Sequence, residues 1–260
     1  MRIRPLVLLL AASTSLAACV QTRQFADVEF QPPRGDYDMV VMRPSVQVGR
    51  INLGGTIEQR ADWTDTSRAL ILAELRRQQG ARGGRTLILE RREDAPGFPA
   101  EKVAELERLF QAVGNAIVLH KYLRVDLPTK RRQGLDWTLG EDAVAFGRAT
   151  GMEYALFLHA QDAYATDERI VLQVLGVAGC LIGFCAPQIG GGSQQAYASL
   201  VDLRTGDVVW FNFLQSQIGD IRKPEGAAQL VDRLLGRMRA GRSVRERQDQ
   251  GRGQTREERQ

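Results

Sequence analysis

The sequence predicts an α/β domain of the α+β kind: a mixed, largely antiparallel sheet packed by helices, in a single domain. Three observations carry that prediction. Residues 198–212 read as two strands folded about Arg204-Thr-Gly-Asp207, with Val201, Leu203, Val209 and Phe211 at period two and Gly206 able to take a positive φ. Val103, Leu106, Phe110, Val113 and Ile117 fall three and four apart, the spacing of a helix with one apolar face. Short apolar runs at 39–42 and 86–90, each bounded by turn residues, have the length of strands.

Taken in order, the first strand at 39–42 is stopped by Pro44, and 46–57 extends it or forms a hairpin broken at Gly54-Gly55. Asp62 is the expected N-cap of a helix carrying Leu70, Ile71, Leu72 and Leu75 and ending at Gly80. The Gly/Arg loop at 78–85 lacks a Gly-x-x-x-x-Gly-Lys pattern and reads as a solvated connection. The second strand at 86–90 leads past Pro96 and Pro99 into the long helix, whose seam is expected to be buried against the sheet. His120, one turn beyond, is expected to be half-exposed. Thr138-Leu-Gly-Glu141 has the spacing of a capping box and opens a helix ending at Gly151. Residues 154–164 read as a central strand, with 169–175 returning as its hairpin partner. The last helix, 225–240, has Pro224 before it and Gly241 after it. Five to seven strands are expected in all.

The ends differ from this body. A basic start, the apolar run 6–12 and Leu16-Ala-Ala-Cys19 form a secretory leader, residues 1–18, too short to span a bilayer. Its ending resembles the lipobox of bacterial lipoproteins. The resemblance implies that Cys19 carries diacylglycerol and a fatty acid such as palmitate, the only covalent group expected, with no other cofactor. Val20 at the next position favours, by the same resemblance, a lipid-anchored place on the periplasmic side of the outer membrane. Residues 19–38, broken by Pro32-Pro33 and Gly35, read as a flexible tether, and 39–240 as the periplasmic domain. Residues 241–260 hold almost no apolar side chain and are expected to be disordered.

Charge argues against a nucleic-acid partner. The net +4 falls to +2 without Arg2 and Arg4, and the arginine-rich tail after Met238 carries seven Arg against four acids, so the body is near neutral. Only four of the basic residues are lysines, a pattern that reflects genomic base composition more than phosphate recognition.

One stretch stands out. Residues 176–192 carry no charge and several glycines, unlike the short polar connections usual between neighbouring strands. Three readings stay open: a buried crossover, a contact surface for self-association or the membrane built on Val177, Leu181, Ile182, Phe184 and Ile189, or a ligand pocket. Cys180 and Cys185 are candidates for a disulfide in an oxidising compartment, and their spacing is wider than that of a redox pair.

Catalytic signatures do not assemble. The two histidines, His120 and His159, have no metal-ligand spacing, and no Gly-x-Ser-x-Gly elbow is present, so neither a metal nor a small-molecule substrate is indicated. His159 with nearby Asp162 is the one conceivable hydrolytic centre. Asp202 and Asp207 are read as turn-stabilising residues.

The leader ending in Cys19, the strand–helix–strand–helix opening, Glu153-Tyr-Ala155 and the hairpin Ser199-Leu-Val-Asp-Leu-Arg-Thr-Gly-Asp-Val-Val-Trp210 together resemble a broad group of Gram-negative periplasmic lipoproteins. Its α/β domain is like those of the curli-secretion lipoprotein and the amino-terminal domain of the Tol-system translocation protein. The missing catalytic signatures, the expected anchor at Cys19 and the apolar stretch 176–192 point to a non-enzymatic envelope lipoprotein that binds a protein partner or its own copies. A subunit of an outer-membrane secretion channel is the alternative, and a hydrolase around His159 is the third.

Overall fold

Three central strands are buried on both faces, and that burial dictates the layering. The computed structural model describes residues 21–26, 37–79, 84–130, 134–168, 192–215, 219–236 and 238. Eight strands form one sheet: β1 (Gln21–Ala26), β2 (Met39–Val41), β3 (Ser45–Ile51), β4 (Ile57–Gln59), β5 (Thr86–Ile88), β6 (Tyr154–Ala165), β7 (Ser193–Asp202) and β8 (Val208–Gln215). Helices α1 (Ala61–Gln79), α2 (Ala100–Ile117), α3 (Gly140–Thr150) and α4 (residues 224–236) cover it. The order is β1-β8-β7-β6-β2-β5, with β3 following β2 along the same side of β6 and β4 pairing on β3. β2 runs parallel to β5 and β6, β3 runs parallel to β6, and the other pairs are antiparallel. The mixed α/β sheet read from the sequence is therefore the one that forms. It gains strands because 21–26 and 57–59 also pair.

On one face, Leu156 and Leu158 of β6, Ala198 and Leu200 of β7 and Trp210 and Leu214 of β8 pack against Ile71 and Leu75 of α1 and Leu230, Val231 and Leu234 of α4. On the other, Phe157, Tyr197, Phe211 and Phe213 meet Val103, Leu106, Phe110 and Ile117 of α2 and Phe146 of α3. The apolar seam of α2 is thus the buried face expected of it, with Val113 partly buried at its margin. A sheet covered twice shows no polar alternation, because each side chain of a central strand meets a helix whichever way it points. A bulge breaks the simple period as well. Leu200 pairs with Trp210 but Val201 pairs with Val208, so Val208 rather than Val209 shares the α2 face with Phe211.

The β7–β8 turn is fastened at several points. Asp202 accepts hydrogen bonds from the Arg204 backbone and side chain, and Gly206 N–H donates to the Asp202 carbonyl at 2.7 Å. Gly206 has φ +82°, and a Cβ there would lie 2.6 Å from the Gly140 carbonyl oxygen. Thr138 explains the closeness: its hydroxyl donates to the Gly206 carbonyl at 3.0 Å and accepts from Gly140 N–H at 2.9 Å. The capping box expected of Thr138 and Glu141 does not form, because α3 starts at Gly140 and Thr138 is spent on holding the hairpin. At the other end Gly151 closes α3 in the left-handed conformation, as its sequence position predicted.

Other expectations are corrected. Asp62 lies inside α1, which begins at Ala61, and pairs with Arg60 instead of capping. Part of the expected tether is β1, paired antiparallel with β8 from Gln21↔Gln215 to Ala26↔Trp210. The reason is the outer edge of β8, whose backbone groups need partners that an extended segment supplies without regard to apolar content. The body also starts before residue 39: Tyr37 stands edge-on to Tyr154 at 5.4 Å, and Asp38 accepts from Arg85. Replacing Gly206 by Ala adds a Cβ where backbone already sits and φ is positive. Chemical denaturation should show a loss of about 1–3 kcal/mol.

Candidate functional site

Cys19, Cys180 and Cys185 lie outside the described residues, as do Val177, Leu181, Ile182, Phe184 and Ile189, the expected hairpin partner 169–175 and the tail 241–260. The strand beside β6 among the described residues is β7, joined from Tyr154↔Asp202 to Ala163↔Ser193. The end of β6 and the start of β7 therefore stand at one end of the sheet. The ends of β3 and β8 and the start of β1 stand at that same end.

His159 and Asp162 are not brought together. They sit three positions apart on β6 and so face opposite sides of the sheet. His159 stacks near Tyr197, with ring centroids 4.9 Å apart, on the α2 side. Its Nδ1 lies 3.1 Å from Ser45 Oγ, which also accepts from Gln111 Nε2 at 2.7 Å. Tyr197 in turn donates to the Gln111 carbonyl and to Asn115 Oδ1, and it packs directly beneath Gly114. This is a satisfied polar seam within the aromatic row Phe157, Tyr197, Phe211. The hydrolytic centre considered for His159 and Asp162 is not assembled. Burial holds the His159 imidazole down at about 4, against an ordinary 6.5.

Asp162 belongs to a cluster on the α1–α4 side. Its Oδ2 accepts from Tyr164 and from Gln194, each at 2.7 Å, and Gln194 also donates to the Gly219 carbonyl. The Tyr164 hydroxyl accepts from Ile221 N–H. Arg222 lies over Tyr164 at 3.8 Å and over Trp63 at 4.3 Å, and pairs with Asp220. The result is a latch fixing residues 219–223 across the end of β6 before α4 begins. Burial pushes the Asp162 carboxyl up to about 6, while the hydrogen bonds from Tyr164 and Gln194 pull the other way. The Arg222 hydrogen bonds hold Asp220 down at about 2.

The surface feature that sequence reasoning missed follows α2. Residues Val118–Tyr122 form one π-helical turn. It carries His120 inward, 2% exposed, instead of leaving it half-exposed, and His120 Nδ1–H donates to the Val125 carbonyl at 2.9 Å. Leu123 N–H donates to Val118 and Val125 N–H to Leu119. Arg124, at φ +59°, is the one non-glycine residue with positive φ among the described residues. This bonded turn leaves Leu119, Leu123 and Val125 exposed at 45%, 59% and 46%. Beneath it Tyr122 packs on Phe213, centroids 4.6 Å apart, so the turn sits over β8, one strand in from the open edge of β1. The apolar run Ile117-Val-Leu119 followed by Leu123 and Val125 was the available signal, but it reads equally as continued core.

Among the described residues, no helix is long and apolar enough to cross a membrane, and no three His, Cys, Asp or Glu side chains are placed to share a metal ion. Neither a protein-family model nor a curated protein matches the sequence. Among solved structures, the chain is similar to the PelC dodecamer from Paraburkholderia phytofirmans at 11% identity, covering 83% of this chain and 94% of that one, with a TM-score of 0.38. A single-substitution variant of that dodecamer gives 12% identity, 83% and 96% coverage and a TM-score of 0.36. The LpoB C-terminal domain from Salmonella enterica gives 12% identity, 69% and 82% coverage and a TM-score of 0.23.

The two buried ionisable groups have opposite effects on acid stability. His159 is harder to protonate folded than unfolded, so stability falls as pH drops from about 6.5 to about 4. Asp162 is easier to protonate folded than unfolded, so stability rises as pH drops from about 6 towards 3.8. Each effect is roughly 3 kcal/mol when complete, and in the wild-type chain they largely offset. Denaturation curves at pH 7.5 and 4.5 should show His159→Gln losing less on acidification than wild type, and Asp162→Asn losing more.

Proposed function

We propose that the chain is a non-enzymatic envelope lipoprotein, held at the outer membrane through diacylglycerol and a fatty acid on Cys19, whose domain docks another protein. The observation that carries the docking is the turn bearing Leu119, Leu123 and Val125. Three large apolar side chains within seven residues stand out on a backbone fixed by three hydrogen bonds and a left-handed Arg124. Exposed apolar surface is costly in water, and a fixed cluster of it is what a partner's apolar side chains cover. The outer edge of β1, unpaired among the described residues, lies beside it and offers backbone hydrogen bonds to an added strand.

The anchor and this surface are compatible in space. Gln21, the first residue of β1, follows Cys19 by two positions, so an acylated Cys19 holds one end of the sheet close to the bilayer. The turn over β8 then projects sideways along the membrane plane. That geometry suits a neighbour anchored in the same membrane, either a different protein or a second copy.

A photo-crosslinking amino acid at position 123, tested in cells, checks the reading. The expected result is a defined adduct that disappears when Val125→Glu is added, while the purified variant keeps the wild-type melting temperature because residue 125 is solvent-exposed. An absence of any adduct, or an adduct indifferent to Val125→Glu, contradicts it. The mass of the adduct separates a second copy from a different partner.

A further inference from the structure

The side of the sheet away from β1 has a gap. β5 ends its pairing with β2 at Ile88↔Val41, extended by the Leu89 N–H to Val41 carbonyl bond. β4 begins its pairing with β3 only at Gly49↔Gln59. Between them, residues 42–48 have no strand on their outer side among the described residues, and side chains from the helices cover them instead. Thr64 of α1 exchanges hydrogen bonds with the Val48 backbone, and Arg68 Nη2 donates to the Val46 carbonyl at 3.4 Å. Gln111 of α2 reaches Ser45 from the other face. The gap opens at the carboxyl ends of the parallel strands β2 and β5, the place where open α/β sheets commonly hold ligands.

Charge is concentrated there. Arg43, in the bend between β2 and β3, lies within electrostatic range of Arg68, Arg92, Glu107 and Asp65. Two of these arginines are already committed. Arg68 pairs with Asp65 at 2.5 Å, and Arg92 pairs with Glu107 at 2.9 Å through a single carboxylate oxygen. Arg43 makes no hydrogen bond or ion pair with any described residue, so three guanidinium groups face two carboxylates. The half-buried Arg43 carries the surplus charge. Burial, and next the Arg68 guanidinium, draw it below the usual arginine range.

We propose that this notch binds an oxyanion, a phosphate or carboxylate group, with Arg43 as its principal ligand and Arg68 beside it. A planar guanidinium presents paired donors to such a group, and an anion there relieves the repulsion between Arg43 and Arg68. Glu107 and Asp65 limit the site to low anionic charge, because each additional negative charge faces a carboxylate as well as an arginine. The proposal is independent of the docking turn over β8, which lies at the opposite side of the sheet.

Thermal denaturation of the full chain, at constant ionic strength set by chloride, tests it with inorganic phosphate and with acetate as separate probes. Saturable stabilisation by at least one of them is expected, with the apparent affinity weakened tenfold or more in Arg43→Gln and less in Arg43→Lys. Which probe acts distinguishes a phosphate group from a carboxylate. If neither probe stabilises beyond chloride, or if Arg43→Gln responds like wild type, the proposal fails. The half-exposed position of residue 43 makes misfolding of these variants improbable, and circular dichroism of each variant confirms the fold before titration.

Discussion

The double burial of β6, β7 and β8 is the constraint from which the rest of the architecture follows. A strand covered on one face keeps a wet side for polar residues, but the middles of these three have none, so a polar group there is costly unless it finds a partner inside. Asn212, fully buried on β8, donates from Nδ2 to the Leu234 carbonyl at 2.6 Å and so ties the carboxyl end of α4 to the sheet. His159 is matched with Ser45 on the neighbouring β3, and Asp162 with Tyr164 and Gln194. Three polar residues in the sheet thus fasten an element on their own side: His159 reaches α2 through the Ser45–Gln111 contact, Asn212 holds α4, and Asp162 latches the segment before α4, whereas buried Ser199 Oγ and Trp210 Nε1 have no partner among the described residues.

Much of the fold was legible because the helices and the main hairpin announce themselves locally. The seam Val103, Leu106, Phe110, Ile117 needs only helical geometry to be read, and Gly206 and Gly151 need only their backbone preference. What escaped depends on neighbours far away in the chain. β1 is polar, and only the outer side of β8, almost two hundred residues later, makes it a strand. Thr138 has the right partner for a capping box three residues on, yet the helix starts at Gly140 with Leu139 at its N-cap, and the Thr138 hydroxyl donates instead to the Gly206 carbonyl, 68 positions away. His120 looks like the next exposed position of α2 until the π turn rotates it inward.

The candidate site was less legible than the fold, for a related reason. Residues 117–125 continue the apolar content of α2, and nothing in the residue types says that Leu119, Leu123 and Val125 turn outward. That outcome rests on a backbone event, one widened helical turn followed by a left-handed arginine. The charge notch at Arg43 is likewise invisible in one dimension, because its five charged residues come from the β2–β3 bend, α1, the turn at Arg92–Asp94 and α2. His159 and Asp162 show the converse. Proximity along the sequence suggested a joint site, and the period of two along a strand places them on opposite faces.

The proposed role rests on acylation of Cys19, which precedes β1 by two positions and, once acylated, would keep the body close to the bilayer. Metabolic labelling with radioactive palmitate in the native host addresses this most directly. The account predicts label on the mature chain, its loss in Cys19→Ser, and recovery of the wild-type protein with outer membranes. Unlabelled protein recovered from the cytosol would contradict it.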